Sequence, residues 1–168
     1  GVPGMRLNPS IIPYESGYLL AVRNGWAGSE IYLGKLDADF RPVGEPWRLD
    51  LYHRTAANYG REDPRLFLHN GSVHVSFTGV VGSQKVQHTN VLYARLNTDL
   101  KMERLFAPIL PNRMPGQWEK NWQYFGHENK LYAVYTIEPH VILSFQENGS
   151  PQKVYETPHS RLPLPSSD

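Results

Sequence analysis

The sequence contains no cysteine in its 168 residues, which excludes disulfide bonds and thiolate metal sites. No apolar run approaches the ~18 residues that a membrane-spanning helix needs, so we expect no membrane partner. Lysine and arginine (17) nearly balance aspartate and glutamate (16). Because nucleic acid binding requires clustered positive charge, this balance argues against a nucleic acid partner.

Helical periodicity and metal-ligand spacings are absent as well. No stretch repeats its apolar residues at the 3.6-residue period of a helix. No His-x-His or His-Glu-x-x-His spacing occurs, so we predict no metal site. The first residues, Gly1–Met5, lack the pattern of a signal peptide. Together with the missing cysteines, this makes a cytoplasmic location the expectation.

Turn-forming and aromatic residues are abundant instead. Fourteen glycines and fourteen prolines fit a turn-rich β protein. Four tryptophans and ten tyrosines exceed what a core of this size needs, so some of these rings are expected at the surface. Flat amphipathic rings on a polar surface suit the faces of sugars as well as protein partners.

The most informative stretch runs from Arg61 to Thr78. It places Glu62, Asp63 and Arg65 directly before an apolar run, which Asn70-Gly71 separates from an alternating strand. An Asn-Gly pair between two such runs is the strongest short-range signal of a β-hairpin. The charged cluster is therefore predicted at the open end of a hairpin, where a strand begins.

This unit recurs along the chain. Asn8, Asp63 and Asn121 occupy equivalent positions, about 55–60 residues apart, and each is followed by a first strand, a turn and a second strand. The predicted third strands, within Ile31–Phe40 and Val91–Leu100, match residue under residue. A repeated four-stranded unit is therefore indicated, with fourth strands to follow.

Four antiparallel strands that recur at this period are typical of β-propeller blades. The fourth strands are predicted over Val43–Leu49 and Met102–Leu110; a meander or a sandwich stays open as an alternative. We predict one all-β domain over residues 1–168, a partial β-propeller of about three four-stranded antiparallel blades. The blades are predicted at residues 7–50, 61–110 and 118–158, with a proline-rich tail at 159–168.

The propeller arrangement sorts the polar residues between two ends. First strands begin at one end, which we call the mouth end, and the loops between second and third strands also lie there. The hairpin tips that carry His69, His127 and Glu128 are predicted at the opposite end, as solvated turns. The candidate site residues at the mouth end are Asn8, Trp26, Tyr59, Glu62, Asp63, Arg65, Lys120, Asn121, Glu138 and His140.

Structural interpretations of these candidates remain open. Asp63 precedes a proline, where aspartate is common as a turn or cap residue. Glu119 and Lys120 together are consistent with an ion pair at a strand start. Glu138 and His140 suit the end of a strand equally well. The clustering of Asp63 with other charged groups favours a functional role, because capping requires no such cluster.

A resemblance sharpens these hypotheses. Glu62-Asp63-Pro64-Arg65, followed by an alternating strand, resembles the Glu-Asp-Pro-Arg signature of the mannoside phosphorylases, glycoside hydrolase family 130. The arabinanase and invertase group of five-bladed propeller glycosidases carries a comparable Asp-Pro. The likeness implies that Asp63 donates a proton to the glycosidic oxygen while inorganic phosphate, held by Arg65, Lys120 and Asn121, attacks the sugar. It implies a β-mannoside-type oligosaccharide as substrate, phosphate as co-substrate and no other cofactor.

A hydrolase would instead need a second carboxylate, for which Glu62, Glu119 and Glu138 are candidates. Five-bladed relatives have more blades than this chain, so we expect it to self-associate and close the incomplete ring. Three functions stay open: a glycoside hydrolase or phosphorylase, a non-catalytic or vestigial carbohydrate-binding module, and a structural oligomerisation unit.

Overall fold

The computed structural model describes residues 6–25, 29–51, 60–83, 86–110 and 118–158. Within these ranges the chain forms twelve β-strands and no helix, so none of the described residues belongs to a helix that could span a membrane. The strands are β1 Arg6–Tyr14, β2 Gly17–Asn24, β3 Glu30–Leu36, β4 Pro42–Arg48, β5 Arg61–His69, β6 Ser72–Ser83, β7 Val86–Leu96, β8 Met102–Phe106, β9 Gln123–His127, β10 Lys130–Thr136, β11 Val141–Phe145 and β12 Pro151–Glu156.

The strands form three sheets of four antiparallel strands each, in simple sequence order. Sheet I contains β1–β4, sheet II β5–β8 and sheet III β9–β12. The first strands pack side by side, since β1 contacts β5 and β5 contacts β9. Sheets that radiate from adjacent first strands are propeller blades. The predicted all-β partial propeller is therefore confirmed.

Alternation along the strands of sheet II divides its side chains between two interfaces. Leu66 of β5 and Leu92 of β7 face sheet I, whereas their neighbours Phe67 and Tyr93 face sheet III. Successive side chains of a strand point to opposite faces, so one sheet can serve two cores. Sheet II is thus covered on both faces, and it is the most buried of the three.

The two interfaces have separate cores. The core between sheets I and II, here called the aliphatic interface, comprises Leu19, Ala21, Ile31, Leu33, Leu49, Leu51, Leu66, Val73, Val75, Phe77, Leu92, Ala94, Leu96 and Leu100. The core between sheets II and III, here called the aromatic interface, comprises Phe67, Val91, Tyr93, Trp122, Tyr124, Leu131, Ala133, Val141 and Leu143. Each core includes first-strand residues, Leu66 of β5 in the aliphatic interface and Phe67 of β5 with Tyr124 of β9 in the aromatic interface.

The turns repeat in detail. Asn70 and Gly71 both have positive φ (48° and 72°), as the predicted two-residue hairpin turn requires. In the turn after β3, Asp37 Oδ1 accepts the backbone N–H groups of Asp39 and Arg41 at 2.9 Å. Asn97 Oδ1 makes the same two bonds in the equivalent turn of sheet II. The residue-by-residue match of the third strands is therefore a match in hydrogen bonding as well.

One predicted strand is shorter in the structure. β8 ends at Phe106, whereas the sequence pattern extended it to Leu110. Pro108 has no backbone N–H and cannot continue a ladder. Its carbonyl oxygen instead accepts a hydrogen bond from Asn90 Nδ2, a buried side chain of β7. The segment after β8 is thereby fastened to the mouth end of sheet II.

Candidate active site

Three residues with left-handed backbone mark the starts of the first strands. Asn8, Asp63 and Asn121 have φ values of 50°, 53° and 62°. Asparagine and aspartate tolerate this conformation better than other non-glycine residues. The repeat at these positions is therefore explained by the backbone, and strained residues of this kind concentrate at functional sites.

In sheets I and II the same residues lie in a β-bulge. The register of β1 with β2 shifts between Leu7 and Ser10, and that of β5 with β6 shifts between Glu62 and Arg65. Each shift leaves an Asx-Pro pair out of the ladder, and a bulge of this kind re-aims a side chain. Because the second residue of each pair is a proline, it has no backbone N–H that the bulge would leave without a partner.

The three strand starts surround one cavity of about 310 Å³, here called the central cavity. The predicted convergence of Asn8, Asp63 and Asn121 on one place is what the structure shows, since all three line it. Arg65 lines it too. The lining residues are Asn8, Pro9, Ser10, Asp63, Pro64, Arg65, Leu66, Asn121 and Gln123.

Asp63 is the one carboxylate among these lining residues. Its Oδ1 accepts a hydrogen bond from Asn8 Nδ2 and lies 3.7 Å from a guanidinium nitrogen of Arg23. Arg23 comes from β2 of sheet I, and its side chain is only 7% exposed. The carboxylate of sheet II is thus held by two groups of sheet I.

Glu62 points away from the central cavity into an ion-pair network. Its Oε1 pairs with Arg23 (3.1 Å) and its Oε2 with Lys120 Nζ (3.2 Å). Lys120 also lies 5.9 Å from the ring centre of Trp118, whose side chain is largely exposed. Of the predicted pair Glu62 and Asp63, the geometry therefore offers only Asp63 to a ligand in the cavity.

Arg65 follows Pro64 in β5, and its side chain contacts neutral groups. Its guanidinium donates to Asn121 Oδ1 at 3.2 Å and to Gln123 Oε1 at 3.4 Å. These amides come from the start of sheet III. The cavity therefore carries an anionic group fixed from sheet I and a cationic group fixed from sheet III, both borne by β5.

Glu119 proves to be a structural residue. It is 4% exposed and accepts hydrogen bonds from Trp122 Nε1 (3.1 Å) and Tyr135 OH (3.0 Å). A carboxylate whose two oxygens accept from Trp122 and Tyr135 is unsuited to act as a general base in the cavity. The predicted second carboxylate is therefore not supplied by Glu119.

Glu138 and His140 lie in the turn between β10 and β11 and do not line the central cavity. Glu138 is exposed. The backbone N–H of His140 donates to Thr157 Oγ1 at 2.9 Å, and its ring lies edge-on to Tyr155 at 6.0 Å. The contacts of His140 thus bind the turn to β12 and to the residue that follows it. Two further candidates, Trp26 and Tyr59, lie outside the described residues.

The opposite end of the sheets is a separate region. Hairpin tips that contain His69, His127 and Glu128 surround a shallow cavity there, as the topology predicts. Burial lowers the pKa of His69, and burial lowers that of the adjacent His74 to about 4. Among the described residues no cluster of histidine, aspartate or glutamate is arranged to bind a metal ion.

Sequence reasoning missed three residues around the site: Arg23, Gln123 and Trp118. Arg23 ends an amphipathic strand and resembles any solvated strand-end charge. Gln123 follows the signature residues of the third repeat and carries no charge to single it out. A stronger signal existed for Arg23: it is a cation on the buried face of an alternating strand, in phase with Leu19 and Ala21. Buried cations are rare unless paired.

Comparison with known proteins shows the fold. No protein-family model and no curated protein matches the sequence. The structure is similar to α-L-arabinofuranosidase from Lactobacillus brevis (14% identity, TM-score 0.57). It is also similar to a protein described as a glycoside hydrolase from Parabacteroides distasonis (17%, 0.56) and to the xyloglucan PUL protein GH43B from Bacteroides ovatus (16%, 0.55).

These likenesses cover 88%, 90% and 91% of this chain, but only 51%, 53% and 31% of the respective matched chains. The chain therefore spans about half the length of the first two structures and less of the third. At such identities the likeness establishes the architecture alone. What these proteins act on is a property of their own sites.

Proposed function

We propose that the chain is a carbohydrate-active protein whose central cavity binds the end of an oligosaccharide, with Asp63 as the proton donor for glycoside cleavage. The observation that carries the proposal is the position of Asp63. Among the described residues it is the one carboxylate that lines the cavity, and it stands at the strand start where the Glu-Asp-Pro-Arg signature has the acid of mannoside phosphorylases.

The supply of carboxylates favours phosphorolysis over hydrolysis. A hydrolase needs two carboxyl groups that flank the scissile bond, about 5–9.5 Å apart according to stereochemistry. In the described part of the chain, Glu62 is bound on both oxygens and Glu119 is buried. An anionic nucleophile needs no general base, so a single acid is sufficient when inorganic phosphate attacks the sugar.

Arg65 is the group that best suits this phosphate. Among the described residues Arg65 forms no salt bridge. Every acidic residue of the sequence except Asp168 belongs to the described residues. An arginine held by neutral amides keeps its positive charge available for an oxyanion, and its planar fork matches phosphate oxygens. Lys120 of the predicted anion-binding set is already paired with Glu62.

The decisive assay incubates the 168-residue chain with β-manno-oligosaccharides, with and without inorganic phosphate. Phosphate-dependent release of mannose 1-phosphate supports the proposal, and Asp63→Asn is expected to lower the rate at least ~100-fold, as loss of a general acid does. Asp99→Asn, in an exposed turn, is the matched control. Release of free mannose that does not depend on phosphate would contradict phosphorolysis.

Arg65→Gln tests the phosphate site separately. We expect it to raise the phosphate concentration needed for half-maximal rate, because a charge-assisted contact is lost. Arg104→Gln is the control, since Arg104 also lacks a salt bridge among the described residues but lies on β8, stacked over Phe106 at 4.6 Å. An equal effect of both substitutions would argue against a phosphate site at Arg65.

A second function, sugar binding without turnover, is favoured by one observation. The positions equivalent to Asp63 in sheets I and III are Asn8 and Asn121, amides that bind hydroxyl groups but exchange no protons. Tryptophan fluorescence distinguishes this function, because Trp118 is exposed beside Lys120. A sugar-dependent change without product supports binding alone. Self-association and a cytoplasmic location stay predictions, and light scattering at micromolar concentration tests the former.

A further inference from the structure

Arg23 connects the two acidic residues of β5 to a neighbouring blade. Its guanidinium lies 3.1 Å from Glu62 Oε1 and 3.7 Å from Asp63 Oδ1. The side chain is 7% exposed and comes from β2 of sheet I. A buried cation costs free energy unless acidic partners compensate it. The two carboxylates of sheet II are those partners.

The same contact separates the roles of Glu62 and Asp63. Arg23 and Lys120 occupy one oxygen each of Glu62, which keeps this side chain out of the central cavity. Asp63 is held on Oδ1 alone, by Arg23 and Asn8. Its other carboxylate oxygen has no hydrogen bond to a described residue, so it is the oxygen left to meet a ligand.

We infer that Arg23 is the positioning residue of the site: it orients the Asp63 carboxylate toward the ligand and withdraws Glu62 from it. The inference rests on the proposed function, since the ligand is the sugar that Asp63 contacts. Arg23 is buried behind the carboxylates and does not line the cavity, so it acts through Asp63. A misplacement of a reacting group by about 1 Å is enough to lower a rate ~100-fold.

The chain offers a matched control for this role. Arg61 is also a poorly exposed arginine that joins sheets I and II: it pairs with Glu30 at 3.7 Å and donates to the Leu51 carbonyl oxygen at 2.9 Å. The ion pair of Arg61 with Glu30 lies between the same two sheets, but its side chains contact neither Asp63 nor Glu62. Loss of Arg61 therefore reports what the loss of a structural arginine between these sheets does.

The test is a double-mutant cycle on sugar affinity, with a β-manno-oligosaccharide as the probe and calorimetric titration as the measurement. Arg23→Gln is expected to weaken binding at least ~10-fold in the wild-type background and by less than ~2-fold in Asp63→Asn, because it acts through that carboxylate. Arg61→Gln is expected to change affinity equally, and little, in both backgrounds. An equal loss from Arg23→Gln in both backgrounds would overturn the inference.

Two further variants separate this outcome from misfolding and from failure of the proposed function. The double variant Arg23→Met with Glu62→Gln removes the buried cation together with its nearer carboxylate, so that only Asp63, which keeps its bond to Asn8, loses a charged partner; urea unfolding checks that it folds. If it folds and keeps wild-type affinity, Arg23 does not position Asp63. If the wild-type chain binds no sugar, the proposed function fails. If sugar binds but is indifferent to Asp63→Asn, only the role of Arg23 is refuted.

Discussion

The two interfaces between the sheets solve the same packing problem with different side chains. The aliphatic interface is built from leucine, isoleucine, valine and alanine around a single phenylalanine. The aromatic interface holds stacked and tilted rings, such as Phe67 on Tyr124 at 5.2 Å and Tyr93 on Tyr124 at 5.0 Å. Both bury their members almost completely, so the difference lies in chemistry rather than in exposure.

Polar side chains contact the core of the aromatic interface directly. Glu119 receives hydrogen bonds from Trp122 and Tyr135 there, and His74 stacks on Phe67 at 5.0 Å. A buried polar group stabilises only when its partners are present. Apart from the ion pairs of Arg23 and Arg61 beside it, the aliphatic core is expected to respond to changes in side-chain volume alone. The aromatic interface is expected to respond also to protonation and to the loss of single hydrogen bonds. We therefore expect the aromatic interface to be more sensitive to single substitutions than the aliphatic interface.

The largest expected effect is that of Trp122→Ala. We expect a loss of about 4 kcal/mol of unfolding free energy, because a buried ring disappears and Glu119 loses a donor. The comparison is Leu33→Ala in the aliphatic interface, for which about 3 kcal/mol is expected from volume alone. Urea unfolding at pH 7 measures both. A larger loss for Leu33→Ala would reverse the comparison.

Acid is expected to weaken the aromatic interface next. Burial lowers the pKa of His74 to about 4, and the nearby His69 and Arg95 act in the same direction, against the Ser72 carbonyl and Glu103. Between pH 6.5 and pH 4 the unfolded chain therefore binds a proton at His74 that the folded chain does not bind. Stability attributable to His74 falls as the pH drops from 6.5 to 4, by about 3 kcal/mol in all, and is constant above 6.5.

His74→Phe tests this by urea unfolding across that pH range. The variant is expected to lose about 3 kcal/mol less than the wild type between pH 6.5 and pH 4. His127→Gln, at an exposed hairpin tip, is the control and should leave the pH dependence as it is. An unchanged acid dependence in His74→Phe would show that this histidine is protonated in the folded state already.

A smaller effect is expected for Glu119→Gln. The amide oxygen can accept from Trp122 Nε1 and the amide N–H can donate to the Tyr135 hydroxyl, but both hydrogen bonds lose the contribution of the carboxylate charge. We expect a loss of about 2 kcal/mol in thermal or urea unfolding. Glu103→Gln, in an exposed pair with Arg95, should cost under about 1 kcal/mol.

The smallest effect is expected for Tyr124→Phe. The Tyr124 hydroxyl is buried and has no hydrogen-bond partner among the described residues, and burial raises its pKa well above the usual value. Removal of an unsatisfied hydroxyl is expected to change stability by less than about 1 kcal/mol, or to raise it. Tyr135→Phe, which removes a donor to Glu119, is the contrasting variant and should destabilise.

Much of the fold was predictable because its signals are local. Alternating strands and the Asn70-Gly71 turn need only neighbouring residues, and the repeat of Asn8, Asp63 and Asn121 brings equivalent positions together by topology. What sequence reasoning did not find depends on contacts between blades. Glu62 was a candidate catalytic residue, and it is instead paired with Arg23 of sheet I and with Lys120 at the start of sheet III. The pairing of partners distant in sequence is not encoded in any local pattern.

The central cavity belongs to no single blade. Asn8 comes from sheet I, Asp63 and Arg65 from sheet II, and Asn121 and Gln123 from sheet III. A partly folded chain lacks this cavity, so a ligand of the cavity binds only the chain in which all three sheets are in place. By mass action, an occupant present at 100 times its dissociation constant would add about 2.7 kcal/mol to the stability of all three blades at once. Ligand binding and the folding of the three sheets are therefore coupled. A thermal-shift screen of sugars would identify the ligand by the stabilisation that it confers.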